Sequence, residues 1–264
     1  MYQQELWVAL KAARAGGAVV RENFGAVMHA EYKGDANPVT KVDRASEDHI
    51  LAVLRHHYPH DRFMAEESGG AGDLEGRVWL VDPLDGTVNY LHAVPQVAVS
   101  VALWVDGEAA LGVVIDPIRG EEFTAQRGGG AFHGSNPIRV SPQTELAQSL
   151  IATGFPYDRN LHAEAYAANL AGVLARVQGI RRLGSAALDL AWVAWGRYEG
   201  YWEYALHPWD TAAGVVLVTE AGGQITNPRG GDYHLDDSGI VASNRLIHQG
   251  LVEAVQLAPP SHLP

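Results

Sequence analysis

The chain has 264 residues, 47% of them hydrophobic and 19% charged, enough apolar material for one large or two small globular domains and too much for a disordered chain. Its 19 basic residues face 31 acidic ones, a formal charge of −12, which disfavours a nucleic-acid backbone as partner and means that an anionic small molecule needs a local remedy such as bound divalent cations. The absence of cysteine excludes disulfides, thiolate zinc, iron–sulfur clusters and a cysteine nucleophile.

The N-terminus mixes charges into its apolar positions and has no basic leader before an apolar core. It reads as neither signal peptide nor membrane span, and the protein is expected in the cytoplasm. Leu6, Trp7, Leu10, Ala13, Val20 and Phe24 predict an amphipathic helix over 3–24, with Gly16 and Gly17 marking a break or a close approach. EYKGDANPVTKVD then reads as a loop carrying Lys33, a lone lysine that could approach an anion. Thr40 is the expected cap of a second helix, on which Asp43 and Glu47 stand four apart; taken alone they read as a solvated acidic face.

Arg62 to Ala65 predicts a short strand ending in Glu66 and Glu67. After a Gly-rich loop, Trp79-Leu80-Val81 predicts a second strand, running into Asp82 and Asp85. Gly86 allows a tight backbone path there, and Thr87 to Leu91 opens a short helix whose first N–H groups face the same edge. Strands at 97–105 and 109–115, joined by Asp106-Gly107, make a hairpin that extends as a meander through 122–125 and 130–132. RGGGAFHG (127–134) fits no nucleotide-binding spacing and reads as a turn.

A polar stretch near Pro142 suggests two halves, 1–142 and 143–264. In the second, strands at 149–153, 179–183, 198–204 and 240–242 alternate with helices at 161–177, 185–195, 209–221 and 244–256, which indicates layered α/β structure. Residues 259–264 read as a disordered tail, and the tryptophans at 192, 195, 202 and 209 as core. The twelve histidines show no metal-binding spacing, and His207 is expected to pack or hydrogen-bond.

Glu66, Asp82, Asp85 and Asp210 each sit where an element ends or begins, the places where layered α/β folds gather ligands. Brought together, each pair of anions about 4 Å apart costs on the order of 4 kcal/mol at an effective dielectric of about 20, so cations must offset the repulsion. All-oxygen donors select hard ions, Mg²⁺ first, with Mn²⁺ or Ca²⁺ as alternatives. Thr87 would orient a water and Asp43 take its proton, while the Gly86 and Thr87 N–H groups hold a phosphate. A small phosphate monoester hydrolysed by metal-activated water is the resulting expectation. Aspartyl-phosphate chemistry of the D-x-D-G-T kind fails on spacing, because Pro83 and Leu84 both separate the aspartates.

TKVDRASE (40–47), AEES (65–68), DPLDGTVNY (82–90) and WDTAAG (209–214) together resemble the inositol monophosphatase family of magnesium-dependent, lithium-sensitive phosphatases, in order and across nearly the whole chain. The resemblance implies a five-layer α/β/α/β/α sandwich of the sugar phosphatase type and a homodimer. It also implies one Mg²⁺ on Glu66, Asp82 and the Leu84 carbonyl, a second on Asp82, Asp85 and Asp210, and a weaker third on Glu66, with Ca²⁺ and Li⁺ inhibitory. Ala65 and Tyr90 depart from the family's usual glycine and phenylalanine. RRLGSAALDLA (181–191) and GRYEGYWE (196–203) look like the inositol phosphatase branch, in which Ala186 lines the pocket and Glu203, with Asp85 and Asp210, contacts the sugar alcohol. The expected substrate is myo-inositol 1-phosphate. The alternatives are fructose 1,6-bisphosphate, histidinol phosphate, 3′-phosphoadenosine 5′-phosphate, or a regulatory binding role on the same fold. Without the family pattern, Glu203 reads as a surface strand residue and Arg181-Arg182 as a solvated basic pair.

Overall fold

The computed structural model describes residues 1–26, 31–33, 37–70, 72–157 and 159–256, and for 31–33 and 37–38 the backbone alone. The Lys33 side chain and the tail at 259–264 lie outside the described residues. Helix α1 (Gln3–Glu22) runs unbroken through both glycines. They mark close packing: a Cβ on Gly16 would meet Ser46 and Ile50 of α2 (Lys41–His57), and one on Gly17 would meet Ile115. The stretch read as a loop pairs with itself, Glu31–Lys33 (β1) antiparallel to Asn37–Val39 (β2).

The first half builds an eight-stranded sheet from β3 (Arg62–Ala65), β4 (Gly69–Gly70), β5 (Arg77–Asp85), β6 (Ala98–Val105), β7 (Glu108–Asp116), β8 (Glu121–Gln126), β9 (Gly130–His133) and β10 (Asn136–Ile138). Its order is β10-β9-β8-β7-β6-β5-β3-β4. All neighbours are antiparallel except β3 and β5. Asp106 and Gly107 both take positive φ, 52° and 77°, as the Asp-Gly hairpin requires. The glycine-rich turn at 127–130 is held by α6 (Pro208–Glu220), whose Glu220 carboxylate accepts from the Gly128 and Gly130 N–H groups.

The second half gives β11 (Leu150–Thr153), α4 (Arg159–Leu174), β12 (Gly179–Arg181), α5 (Ala186–Ala194), β13 (Gly200–Tyr204), then α6, β14 (Gln224–Thr226), β15 (Gly239–Ser243) and α7 (His248–Gln256). Its strands form a five-stranded sheet in the order β12-β11-β13-β15-β14. The pieces stack as α1/α2, large sheet, α5/α6, small sheet, α4/α7, the expected five layers.

Three apolar seams hold the stack together. Trp79 and Val81 turn towards α1 and α2, whereas Val78 and Leu80 on the same strand turn towards α5 and α6. That is why β5 reads as a continuous apolar run and not an alternating one. In the small sheet Tyr201 faces the middle seam and Trp202 the outer one, where its Nε1 donates to Asn169 of α4 and Asn169 donates in turn to the Val255 carbonyl of α7. Of the four tryptophans expected in the core, only Trp202 is buried; Trp192, Trp195 and Trp209 are half-buried. Ring size alone does not say which tryptophan finds a seam.

His248 joins the last helix to the small sheet: its Nδ1 meets Ser243 Oγ at 2.8 Å and its Nε2 meets Thr226 Oγ1 at 3.0 Å. Burial lowers its pKa to about 4. The unfolded imidazole titrates near 6.5, so the unfolded state gains a proton first as pH falls. Stability carried by the neutral ring is therefore full above about pH 6.5 and lost towards about pH 4, up to roughly 3 kcal/mol. Urea titrations of the wild type and His248→Gln at pH 7 and 4.5 should show a difference in pH slope of that sign. Parallel curves would refute the assignment.

Candidate active site

Strand register brings the acids together. Strands β3 and β5 are parallel, with Ala65 opposite Val81, so the residues that follow, Glu66 and Asp82, emerge side by side, and the Glu66 N–H donates to the Val81 carbonyl. The β5–β6 register then shifts between Asp82 and Asp85, an irregularity that lets the strand deliver a second acid at its end. The Leu84 N–H donates to Asp82 Oδ1 at 3.0 Å, and Ser46 Oγ donates to the Pro83 carbonyl, which fixes the Asp-Pro-Leu-Asp turn. Gly86 has φ 94°, and a Cβ there would stand 2.9 Å from the Gln96 carbonyl, so glycine is required on both counts before α3 (Thr87–Leu91) begins.

From the other half, α6 starts at Pro208 and places Asp210 in its first turn, where its carboxylate caps the helix by accepting from the His207 N–H at 2.7 Å. The chain reaches that point through Ala205, held at φ 53° in the left-handed region. Helix α5 starts beside Asp85: Ser185 Oγ donates to Asp85 Oδ2 at 2.6 Å and the Ala187 N–H donates to the same oxygen at 2.8 Å.

A cleft of about 960 Å³, open mouth included, unites these ends. Glu66, Asp82, Leu84, Asp85, Gly86 and Thr87 form one wall; Ala186, Glu203 and Asp210 another; Phe155, Tyr157, Arg159 and Arg182 the rim. Every site residue expected from the sequence lines this cleft except Asp43, which lies behind it. Asp43 is 1% exposed, and Glu47 is also buried, so the solvated acidic face is a misreading. Both acids have hydrogen-bond partners from distant segments. Glu47 accepts from the Glu67 N–H at 2.8 Å. Asp43 accepts from the Thr40 N–H and hydroxyl through Oδ2, and Thr87 Oγ1 lies 3.0 Å from its Oδ1. The Thr87 hydroxyl is also 3.1 Å from the Leu84 carbonyl, so its single proton has two acceptors.

Electrostatically the cleft is under load. Burial, then the charges of Glu66, Asp85 and Asp210, push the Asp82 carboxyl well above its usual range. Asp210 rises likewise, through burial and then Glu66. Asp85 is raised to about 6 by burial, against the hydrogen bonds from Ser185 and Ala187. Among the described residues no three acidic or histidine side chains are drawn into a ready-made metal cage. The donor set is nevertheless one a hard cation fits: carboxylates and a carbonyl line one cleft, Asp82 is only 2% exposed, and Asp82 and Asp210 are both pushed up by burial and by neighbouring carboxylates.

Glu203 is 8% exposed, not a surface residue; burial raises its pKa to about 7, and its Oε2 accepts from the Tyr201 hydroxyl at 2.5 Å. Arg181 is solvated as expected, but Arg182 turns over the Phe155 ring at the cleft's rim. His207 stacks on Trp209, with ring centroids 4.8 Å apart. Tyr90, where the family pattern has phenylalanine, donates its hydroxyl to the Val20 carbonyl at 2.8 Å and ties α3 to α1.

Sequence reasoning missed Ser185, Arg182, Tyr157 and the buried Asp189. Ser185 carried a local signal, since serine just before an apolar helix is a preferred cap. Asp189 carried none. It is 1% exposed, and burial, then Glu203, pushes its pKa well up.

The Inositol monophosphatase family model matches residues 1–259. This chain belongs to that family. The inositol-1-monophosphatase of Mesorhizobium japonicum is 41% identical over 252 residues, 94% of this chain and 95% of that protein. The Nus factor SuhB of Pseudomonas aeruginosa is 41% identical over 269 residues, 99% and 98%. The crystal structure of the extragenic suppressor protein suhB from Bartonella henselae superposes with a TM-score of 0.91 at 40% identity, covering 97% of this chain and 99% of that one. As an inositol monophosphatase family member the protein is a phosphoric monoester hydrolase, and members of that family are generally metal-dependent. None of the described helices is long and apolar enough to cross a membrane.

Proposed function

We propose that the protein hydrolyses a small phosphate monoester with Mg²⁺, myo-inositol 1-phosphate being the favoured substrate. The observation that carries this is one cleft where Glu66, Asp82, Asp85 and Asp210 meet beside the Asp43–Thr87 hydrogen bond. Glu66, Asp82, Asp85, Asp210 and the Leu84 carbonyl would hold Mg²⁺ ions, Mn²⁺ substituting and Ca²⁺ and Li⁺ inhibiting. When bound, such ions polarise the phosphoryl group, acidify water and neutralise the leaving alkoxide. The chain's own work is positional. The N–H groups of Gly86 and of Thr87, at the start of α3, hold phosphate oxygens. Thr87 orients the attacking water, and its proton passes through that hydroxyl towards Asp43.

Ala186 and Glu203, with Asp85 and Asp210, receive the departing alcohol. In this reading most metal ligands come from 1–142, while 143–264 supplies Asp210 and the alcohol pocket. A homodimer is part of this reading by family resemblance alone, and a cytoplasmic location by the sequence pattern alone. The test is phosphate release from myo-inositol 1-phosphate with and without Mg²⁺, then with Li⁺. Turnover is expected to need Mg²⁺ and to fall with Li⁺; no turnover on any sugar or nucleotide phosphate would sink the reading. Fructose 1,6-bisphosphate, histidinol phosphate and 3′-phosphoadenosine 5′-phosphate complete the panel.

Protons and cations compete for the raised carboxyls. Folded Asp85 titrates near 6, above its unfolded value, so it holds its proton as pH falls through 6 and then binds cations poorly. The rise in melting temperature given by saturating Mg²⁺ should therefore be largest near pH 8 and shrink towards pH 5.5. A pH-independent rise in thermal scans would contradict the ligand assignment.

A second reading, a regulatory role through a partner surface, is favoured by one observation: a relative named Nus factor is as similar as one named phosphatase. An Asp85→Asn chain that loses hydrolysis but keeps its cellular role would support it; loss of both together would count against it.

A further inference from the structure

Beside the cleft, the parallel pairing of β11 with β13 aligns Thr153 with Trp202, which puts the next residues, Gly154 and Glu203, side by side on one face of the small sheet. The glycine is buried, and its backbone does not take positive φ, so its conformation is open to alanine. Space is what forbids a side chain: an ideal Cβ on Gly154 would fall on the Glu203 carboxyl, on its carbon and both oxygens. Two strand positions along, on the same face, the Tyr201 hydroxyl donates to Glu203 Oε2 at 2.5 Å. The carboxyl thus lies over a bare Cα, gripped from one side, with Ala186 lining the same cleft.

We propose that Gly154 and the Tyr201 hydroxyl form the seat that aims the Glu203 carboxyl into the cleft, so that the missing side chain at 154 is a positioning determinant of which alcohol is accepted. This rests on the reading of Glu203 as the group that receives the leaving alcohol. A methyl group at 154 displaces the carboxyl and leaves the carboxylates at the ends of β3, β5 and α6 where they are.

The test is a double-mutant cycle on the metal-loaded full chain, comparing kcat/KM for myo-inositol 1-phosphate with that for p-nitrophenyl phosphate, whose leaving group offers Glu203 no hydroxyl. Gly154→Ala should lower the ratio about tenfold, mainly through KM for the inositol ester, and Tyr201→Phe should lower it less in the same direction. In an Glu203→Ala background neither change should lower it further, because no carboxyl remains to be displaced; a purely structural defect would persist there. The proposal is overturned if Gly154→Ala costs the same in both backgrounds, or nothing in either. If Gly154→Ala does not fold by circular dichroism, the Tyr201→Phe cycle decides by the same criterion. Should Glu203→Ala alone leave the ratio unchanged, the reading of Glu203 falls and the seat with it; if Glu203→Ala lowers the ratio and Gly154→Ala does not, the seat alone falls.

Discussion

Replacing Asp85 by asparagine is expected to lower kcat/KM for ester hydrolysis by more than about a hundredfold while leaving the fold intact. Asparagine has the same shape, and its carbonyl can keep both bonds that Asp85 Oδ2 accepts, from the Ser185 hydroxyl and the Ala187 N–H. The amide NH₂ must then take the place of Oδ1. A donor replaces an acceptor where a cation would sit, and one of the charges that would hold the ion disappears. Steady-state kinetics over a Mg²⁺ series check this, with the denaturation midpoint in metal-free buffer as the control for folding. Activity within a few-fold of wild type would remove Asp85 from the ligand set.

The largest effect on stability is expected from Gly112→Val. Strand β7 passes so close to α6 that a Cβ on Gly112 would stand 2.5 Å from the Ala213 carbonyl oxygen and 2.8 Å from its Cα. Those are helix backbone atoms and cannot rotate aside. The layers must separate, and overpacking of this kind costs typically 1–3 kcal/mol, and here about 3 or more because backbone must yield. Since α6 carries Asp210 in its first turn, the same shift should weaken Mg²⁺ binding. Urea titration with and without Mg²⁺ measures both. A loss below about 0.5 kcal/mol, the scale of an ordinary surface change, would mean the contact is softer than its geometry.

How far the sequence could be read depends on whether the partner of each residue is near in the chain. Thr40 as a cap, the Asp106-Gly107 hairpin and the acids at the ends of β3 and β5 are local statements, and the structure has them. Edge strands of two or three residues, β4, β10 and β14, carry too little pattern to register and exist because a neighbour supplies the pairing. Burial of polar groups is likewise non-local. Glu47 is accommodated by a backbone N–H twenty positions away, and Asp43 by a hydroxyl forty-four away. Neither can be inferred from a helix that looks acidic on one side. Glu203 sits in a strand buried on both faces, where no polar alternation signals inside from outside. The site's members were legible as residue types at element ends, whereas the Ser185 contact, which spans one hundred positions, needed coordinates.

The middle helical layer has a consequence for how the chain comes into being. One whole face of the large sheet, Leu80, Ala102, Val114 and Phe123 among it, is covered by α5 and α6, segments translated long after the sheet's last strand at residue 138. A nascent chain that has completed β10 therefore presents an open apolar face and a cluster of uncompensated acids for at least the seventy residues that precede α6. At ordinary translation rates of roughly 5–20 residues per second, that interval lasts several seconds.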